Sequence, residues 1–175
     1  QYFKAVAAAT SKPVHLYNVP GRTGANLEAA TTLRLAQIDN VIGIKEASSN
    51  RGQILEIIEG RPEGFLVLSG NDDETFPLMK AGADGVISVA SNIAPEPVAK
   101  LTHAMMEGKV EKAAGLHEML SPLFRNCFVE SNPIPAKAAL AAMGMMCNEL
   151  RLPLVASQQK TYDLMVETIK DLKLL

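Results

Sequence analysis

The sequence predicts an α/β fold built around a parallel sheet, and three observations lead to this prediction. Four short and nearly continuous apolar runs occur in the first half of the chain. Apolar character without alternation is typical of strands that are buried on both faces, as in a parallel sheet. Apolar residues at helical spacing fill the gaps between the runs. The starts of the runs lie about 20 to 27 residues apart, which is the length of a strand–helix repeat.

The predicted elements follow in a simple order along the chain. The four strands cover residues 14–18, 41–45, 65–70 and 85–89, and the four helices that follow them cover residues 95–107, 109–126, 133–143 and 157–172. Four strand–helix units fit either a small open sheet or half of an eight-stranded barrel, and spacing alone leaves both open. No glycine-rich nucleotide-binding loop or P-loop is present, which weakens the nucleotide-binding interpretation.

Composition excludes several classes of protein. The chain has 175 residues and a formal net charge of −2, so nothing in its charge indicates nucleic acid. No apolar run approaches the roughly 18 residues of a membrane-spanning helix. Cys127 and Cys147 have neither metal-binding nor redox spacing, and so few cysteines are typical of a reducing cytoplasm. The chain starts at Gln1 without a methionine or a signal-peptide pattern, so we expect it to begin inside a longer protein.

Lys45 is the most informative single residue of the sequence. It ends an apolar run, so we expect it at the carboxyl edge of the sheet, where strand–helix enzymes place their active sites. Burial favours the neutral amine of a lysine, and a neutral amine can attack a ketone to form an imine. A strand-end lysine whose aliphatic stem simply reaches solvent fits the same local pattern.

Tyr17 and Arg22 belong to the same predicted edge. Tyr17 ends the preceding strand, so pairing of the two strands sets its phenol beside Lys45, where it can relay protons. Arg22 lies in a loop fixed by Pro20 and two glycines, and its guanidinium suits a bidentate pair with a carboxylate. Considered alone, a packed tyrosine and a surface arginine are compatible with the same positions.

Other polar residues predict no metal site. Glu46 follows Lys45 and is expected to point the other way, into the wall of the fold or a salt bridge. Asp72 and Asp73 are expected to start a helix, where carboxylates interact favourably with the helix dipole. The three histidines share no spacing typical of metal ligands, and we interpret them as structural or exposed.

Five motifs in this order resemble those of the dihydrodipicolinate synthase family, which also includes the N-acetylneuraminate lyases. Residues 17–24 are similar to its tyrosine loop, and residues 43–48 are similar to its Schiff-base lysine motif. The other three matching segments are residues 68–72, 85–89 and 132–137. The resemblance covers essentially the whole chain and indicates the C-terminal portion of family members.

The fold that this resemblance implies is the C-terminal half of a TIM (β/α)8 barrel, strands 5–8, followed by a C-terminal helical region. We therefore expect a half-barrel over residues 1–107 and helices over residues 108–175 packed on it. The first four strand–helix units would be missing. A threonine pair and a second tyrosine lent by a neighbouring subunit would be missing with them, so this chain alone is expected to be inactive.

The activity that the resemblance implies is that of a class I aldolase-type lyase. Such an enzyme condenses pyruvate with L-aspartate-4-semialdehyde to give 4-hydroxy-tetrahydrodipicolinate in diaminopimelate and lysine biosynthesis. Lys45 would hold pyruvate as an imine, Tyr17 would relay protons, and Arg22 would orient a carboxylate at the entrance. Gly70 and the backbone of Ile87 would line the pyruvate pocket. The resemblance implies neither a metal nor a nucleotide cofactor.

The resemblance also implies a cytoplasmic homo-oligomer, a dimer or a tetramer in the complete protein, with no nucleic-acid or membrane partner. Two alternatives stay open. One is another pyruvate-dependent aldolase of the same superfamily, of the N-acetylneuraminate lyase or sugar-acid type, although Arg22 and Glu46 favour the synthase. The other is a non-catalytic half-barrel assembly fragment that retains the motifs without turnover.

Overall fold

Four parallel strands form one sheet, and they stand in it in the order in which they occur in the chain. The computed structural model describes residues 1–175. The strands are β1 (Val14–Asn18), β2 (Val41–Glu46), β3 (Leu66–Ser69) and β4 (Gly85–Val86). The predicted α/β fold with a parallel sheet is therefore confirmed, and the first three strands lie within one residue of their predicted bounds.

The fourth strand is shorter than predicted. The apolar run over residues 85–89 predicted a strand of ordinary length, but β4 ends at Val86. Ile87 still donates its backbone N–H to the carbonyl of Ser69 at 2.9 Å, so pairing continues for one bond. Val89 then adopts φ −87° and ψ −45° and leads into a 3-10 turn over Ala90–Asn92. Apolar residues in such a turn look the same in sequence as apolar residues in a strand.

Five helices accompany the sheet in the first of two compact units, Gln1–Ile87. They are α1 (Tyr2–Ala8), α2 (Pro20–Thr23), α3 (Ala29–Leu35), α4 (Arg51–Gly60) and α5 (Thr75–Lys80). The side chain of Asn50 caps α4 by accepting a hydrogen bond from the backbone N–H of Gln53 at 3.2 Å. The short α2 ends at Gly24, whose φ of 69° is left-handed and favours glycine.

Side chains along the strands alternate between two faces of the sheet, and only one face is covered. On the covered face Leu16, Ile44 and Val67 are at most 2% exposed and belong to one core cluster with residues of the helices. On the opposite face Tyr17 is 49% exposed and Ile87 is 43% exposed. The prediction of strands buried on both faces is therefore wrong for this chain, because these side chains of the second face are exposed.

The second unit, Ser88–Leu175, is helical. Its helices are α6 (Pro95–Met106), α7 (Val110–Asn126), α8 (Ile134–Ala142) and α9 (Gln159–Asp171). All four lie within two residues of the predicted bounds. The unit begins before the predicted division at residue 107, because α6 packs against α7. None of the helices in the structure is both long enough and apolar enough to cross a membrane.

The open face and the two outer strands generate a prediction about the chain in solution. β1 and β4 form the edges of the sheet, and their outer backbone groups are free to pair with another chain. We expect the 175-residue chain to self-associate, so that its sedimentation coefficient rises with concentration. Leu66→Lys, which adds a charge to the open face where Leu66 is 37% exposed, should weaken association. A monomer at all concentrations would contradict this expectation.

Candidate active site

The parallel pairing of β1 with β2 brings the two predicted reactive side chains together. Tyr17 and Lys45 are direct register partners. Lys45 is also the partner of Leu68 in β3. Residues at matching positions of neighbouring strands project from the same face of a sheet. The carboxyl edge of the open face therefore presents a phenol and an amine side by side, as the sequence predicts.

The amine of Lys45 contacts the aromatic face of Tyr17. The Nζ atom lies 4.3 Å from the centroid of the ring, which is within the range of a cation–π interaction. Such a contact contributes about 0.5–1 kcal/mol at an exposed site. The contact is made through the ring and not through a hydrogen bond to the phenol hydroxyl. Tyr17 therefore orients the Lys45 amine, and its hydroxyl stays available to another group.

Gly70 supplies the space through which the Lys45 side chain passes. A Cβ atom at Gly70 would lie 3.2 Å from Cε of Lys45 and 2.6 Å from Cβ of Ala47. Real Cβ atoms essentially never approach another atom as closely as 2.6 Å. The absence of a side chain at Gly70 is thus required where the stem of Lys45 crosses the end of β3.

Two further predicted site residues lie at the same edge of the sheet. Arg22 belongs to α2, which directly follows β1, and it is exposed. Its guanidinium forms none of the ion pairs of the chain. Ile87 lies one residue beyond β4, and its backbone N–H is bonded to Ser69. The structure places both residues after the carboxyl ends of strands without joining either to Lys45 by a hydrogen bond.

A polar network behind Lys45 was missed by sequence reasoning. Glu46 does point away from Lys45 as predicted, but it forms no salt bridge. Its carboxylate instead accepts hydrogen bonds from Asn18, Gln53 and the backbone of Ser48. Asn18 and Glu46 have the same strand parity as the buried Leu16 and Ile44. This parity is the signal that could have placed both residues on the covered face.

A second polar cluster lies in the loops after β2 and β3. Asn71 donates through Nδ2 to Glu74 at 2.6 Å and to the hydroxyl of Ser49 at 3.1 Å. Ser49 has φ 56°, which is unusual for a residue with a side chain. This cluster ties the loop that follows Lys45 to the loop that follows β3. The two loops are separated by more than 20 residues in sequence, so no local sequence pattern indicates this cluster.

Metal binding finds no support in the arrangement of side chains. No group of three or more His, Cys, Asp or Glu residues is placed to hold a metal ion. Asp72 and Asp73 do start a helical segment, the 3-10 turn Asp72–Glu74, as predicted. Lys45 and Tyr17 together offer an amine nucleophile beside a phenol.

The tight space at Gly70 generates a prediction. Gly70→Ala should force the end of β3 or the Lys45 stem to move, and overpacking of this kind lowers the free energy of unfolding by about 1–3 kcal/mol. Gly115→Ala is the matched control, because Gly115 lies on the exposed side of α7 and a methyl group added there would meet open space. It should raise the free energy of unfolding by roughly 0.5–1 kcal/mol. Urea denaturation of both variants measures the difference, and equal stabilities would argue against a crowded Gly70.

Known proteins provide an independent comparison for this geometry. The family model described as "Dihydrodipicolinate synthetase family" matches residues 1–172. A 4-hydroxy-tetrahydrodipicolinate synthase of Archaeoglobus fulgidus is 46% identical over 175 residues, which are 100% of this chain and 61% of that protein. The protein of the same name from Moorella thermoacetica is 45% identical and is covered to 60%.

Solved structures give the same result for the fold. The dihydrodipicolinate synthase of Thermotoga maritima matches 100% of this chain with a TM-score of 0.98 and 45% identity, and 61% of that chain is covered. A chloride-inhibited dihydrodipicolinate synthase of Acinetobacter baumannii, complexed with pyruvate, has a TM-score of 0.96 at 37% identity; the match covers 100% of this chain and 60% of that chain.

The chain spans about 60% of the length of the relatives that it matches. This partial coverage does not confirm the prediction that the chain corresponds to the C-terminal half of a barrel. The match of the family model over nearly the whole chain and the high identity to the curated relatives nevertheless establish membership. The protein belongs to the dihydrodipicolinate synthetase family.

Proposed function

We propose that this chain carries the imine-forming lysine of an aldolase-type lyase that condenses pyruvate with L-aspartate-4-semialdehyde to 4-hydroxy-tetrahydrodipicolinate. The observation that carries the proposal is the amine of Lys45, held 4.3 Å from the ring of Tyr17 at the carboxyl edge of a parallel sheet. Relatives at 45–46% identity bear the name of this synthase. The structure of one relative holds pyruvate.

The chemistry follows from the reactivity of an amine at this edge. The neutral amine of Lys45 attacks the ketone carbon of pyruvate, and loss of water gives an imine. The imine withdraws electrons from the neighbouring carbon, which loses a proton and then attacks the aldehyde. The phenol of Tyr17 is suited to carry the protons of these steps, because its ring is already fixed beside the amine. The covalent imine requires no metal or nucleotide.

Substrate binding is assigned to the residues around this pair. Arg22 offers an exposed guanidinium with no ion-pair partner, and a guanidinium binds a carboxylate through two parallel hydrogen bonds. Gly70 leaves the space beside the Lys45 stem. Ile87 has its backbone N–H engaged with Ser69, so its carbonyl and side chain would line the pyruvate pocket.

The same proposal extends to the assembly. The four strands form part of an eight-stranded barrel, whose other strands cover the open face and pair with β1 and β4. The exposure of Tyr17, Leu66 and Ile87 on this face supports the proposal. The complete protein acts as a cytoplasmic homo-oligomer, a dimer or tetramer, in lysine and diaminopimelate biosynthesis. Condensation requires the additional strands, so the 175-residue chain alone forms the imine without turning over.

The proposed role of Lys45 is tested by borohydride reduction in the presence of pyruvate. The 175-residue chain should acquire one covalent adduct by mass spectrometry. Lys45→Ala removes the amine, and Lys45→Arg replaces it with a guanidinium that stays protonated, so neither variant should acquire the adduct. Lys80→Ala, at an exposed lysine of α5, is the control and should react like the parent chain. An adduct of undiminished yield in Lys45→Ala would remove Lys45 from the mechanism.

The proposed role of Tyr17 is tested in the complete enzyme. Tyr17→Phe keeps the ring under the Lys45 amine but removes the hydroxyl that moves protons. Turnover should fall by about 10²–10⁴-fold, which is the typical contribution of a general acid–base group. The concentration of pyruvate that half-saturates the enzyme should change little. Unchanged turnover in a steady-state assay would assign Tyr17 to orientation of the amine alone.

A further inference from the structure

A buried carboxylate lies directly behind the reactive lysine and has no part in the chemistry proposed above. Glu46 follows Lys45 in β2 and is 0% exposed. Strand alternation sends its side chain to the covered face of the sheet, whereas Lys45 projects from the open face. None of the ion pairs in the chain involves Glu46. A carboxyl group in such a position requires other partners, because burial without hydrogen bonds is strongly unfavourable.

Neutral donors surround the carboxylate in place of a cation. Nδ2 of Asn18 lies 3.1 Å from each of its two oxygens. The backbone N–H of Ser48 donates to Oε1 at 2.8 Å, and Nε2 of Gln53 donates to Oε2 at 3.2 Å. Every polar contact of the Glu46 side chain is thus a hydrogen bond that its carboxylate accepts from an N–H donor.

A second set of hydrogen bonds fixes the direction of these donors. Oδ1 of Asn18 accepts from the backbone N–H of Leu27 at 2.9 Å, so Asn18 has only its nitrogen to offer Glu46. Asn26 accepts from Asn18 at 2.9 Å and donates to Oε1 of Gln53 at 2.8 Å. The amides of Asn18, Asn26 and Gln53 form with Glu46 a closed network, here called the Glu46 network, in which each side chain has one orientation.

The Glu46 network joins two strands where the reactive pair meets. Asn18 and Glu46 are register partners and directly follow Tyr17 and Lys45, which are also register partners. The carbonyl of Asn18 accepts a hydrogen bond from the backbone N–H of Ala47 at 2.9 Å. The ends of β1 and β2 are therefore held from the covered face at the position where the amine and the ring meet on the open face.

We propose that Glu46 is a positioning residue, which holds the ends of β1 and β2 so that the Lys45 amine stays over the Tyr17 ring. Asn18 and Gln53 act with it. The consequence for imine formation rests on the proposed function. The position of the amine can be measured independently of the proposed function, because an aromatic ring shifts the NMR signals of a side chain placed over its face.

Glu46→Gln is the most direct variant, because it keeps the size of the side chain and replaces one acceptor oxygen with a donor. The NH2 group of the new amide must then lie against another N–H donor, which is that of Asn18, Gln53 or the backbone of Ser48. In the 175-residue chain with ¹³C-labelled lysine, the upfield-shifted methylene signal of Lys45 should move to the position of an exposed lysine. Loss of the signal in Lys45→Arg assigns it. Borohydride trapping of pyruvate, expressed per folded chain, should slow about tenfold or more.

Two control variants separate position from stability. Glu59→Gln makes the same chemical change at an exposed residue of α4. Ile57→Val removes one methylene from a fully buried residue of the same helix and leaves every polar group of the Glu46 network unchanged. Both should keep the Lys45 signal and the trapping rate per folded chain, even where Ile57→Val lowers the melting temperature.

A compensating pair of changes tests the network itself. Asn18→Asp combined with Glu46→Gln exchanges the amide and the carboxylate between the two strands. Rotation of the amides of Asn26 and Gln53 then gives every donor among these four side chains an acceptor, and the carbonyl of Leu27 loses the hydrogen bonds that Asn18 and Gln53 donate to it. This double variant should recover the Lys45 signal and most of the trapping rate, and Asn18→Asp alone should not.

The outcomes separate this inference from the proposed function. Loss of the Lys45 signal in Glu46→Gln and its recovery in the double variant support the inference. If the parent chain traps no pyruvate, the proposed function fails and the signal still decides the inference. If Glu46→Gln does not fold, Gln53→Met removes one donor to Glu46, together with the acceptor of Asn26 and the contact with the carbonyl of Leu27. It should produce a smaller loss in the same direction. The proposal is overturned if a folded Glu46→Gln retains the Lys45 signal. If Gln53→Met has to replace Glu46→Gln, retention of the signal in that variant overturns it equally. A lower melting temperature without loss of the signal would then assign the Glu46 network to stability alone.

Discussion

The parallel pairing of β1 with β2 is the constraint on which the rest of the site depends. Because side chains alternate along a strand, one register places Tyr17 beside Lys45 on the open face and Asn18 beside Glu46 on the covered face. A slip of β2 by one residue would exchange its two faces, so that the Lys45 amine would be buried beside Leu16 and Val67 and the side chain of Ile44 would be exposed. The apolar core on one face therefore fixes the position of the reactive pair on the other.

The end of the sheet combines polar groups with very different exposure. Glu46 and Ser69 are fully buried, whereas Tyr17 is 49% exposed. The buried groups have all their hydrogen bonds within the chain, so they fix the strand ends without reaching the open face. The exposed groups are left to bind something else. This division is the physical basis for assigning chemistry to the open face and support to the covered one.

Sequence patterns predicted the larger elements well because long apolar stripes persist over several turns. In the predicted stripe of α7, Ala113, Leu120 and Leu123 are buried and Leu116 is half-buried. The short α1 and α2 escaped prediction because a helix of one or two turns has too few positions for a stripe. The end of β4 escaped as well, since the following 3-10 turn is equally apolar.

Strand position also decided which parts of the site could be predicted from the sequence. Tyr17, Lys45 and Gly70 end apolar runs or follow them directly, so strand position alone placed them at one edge. The Glu46 network depends on contacts between residues as far as 28 positions apart, such as Asn18 with Glu46. No local pattern carries that information. The sequence therefore predicted only that Glu46 enters the wall of the fold or a salt bridge, whereas the structure surrounds it with amide donors.

The proposed chemistry requires that Lys45, and no other lysine, forms the imine. Tandem mass spectrometry of peptides from the chain reduced with borohydride in the presence of pyruvate tests it most directly. We expect a single modified residue, Lys45, in the peptide that contains β2. Modification spread over the exposed lysines in proportion to their accessibility, with none enriched at Lys45, would contradict it.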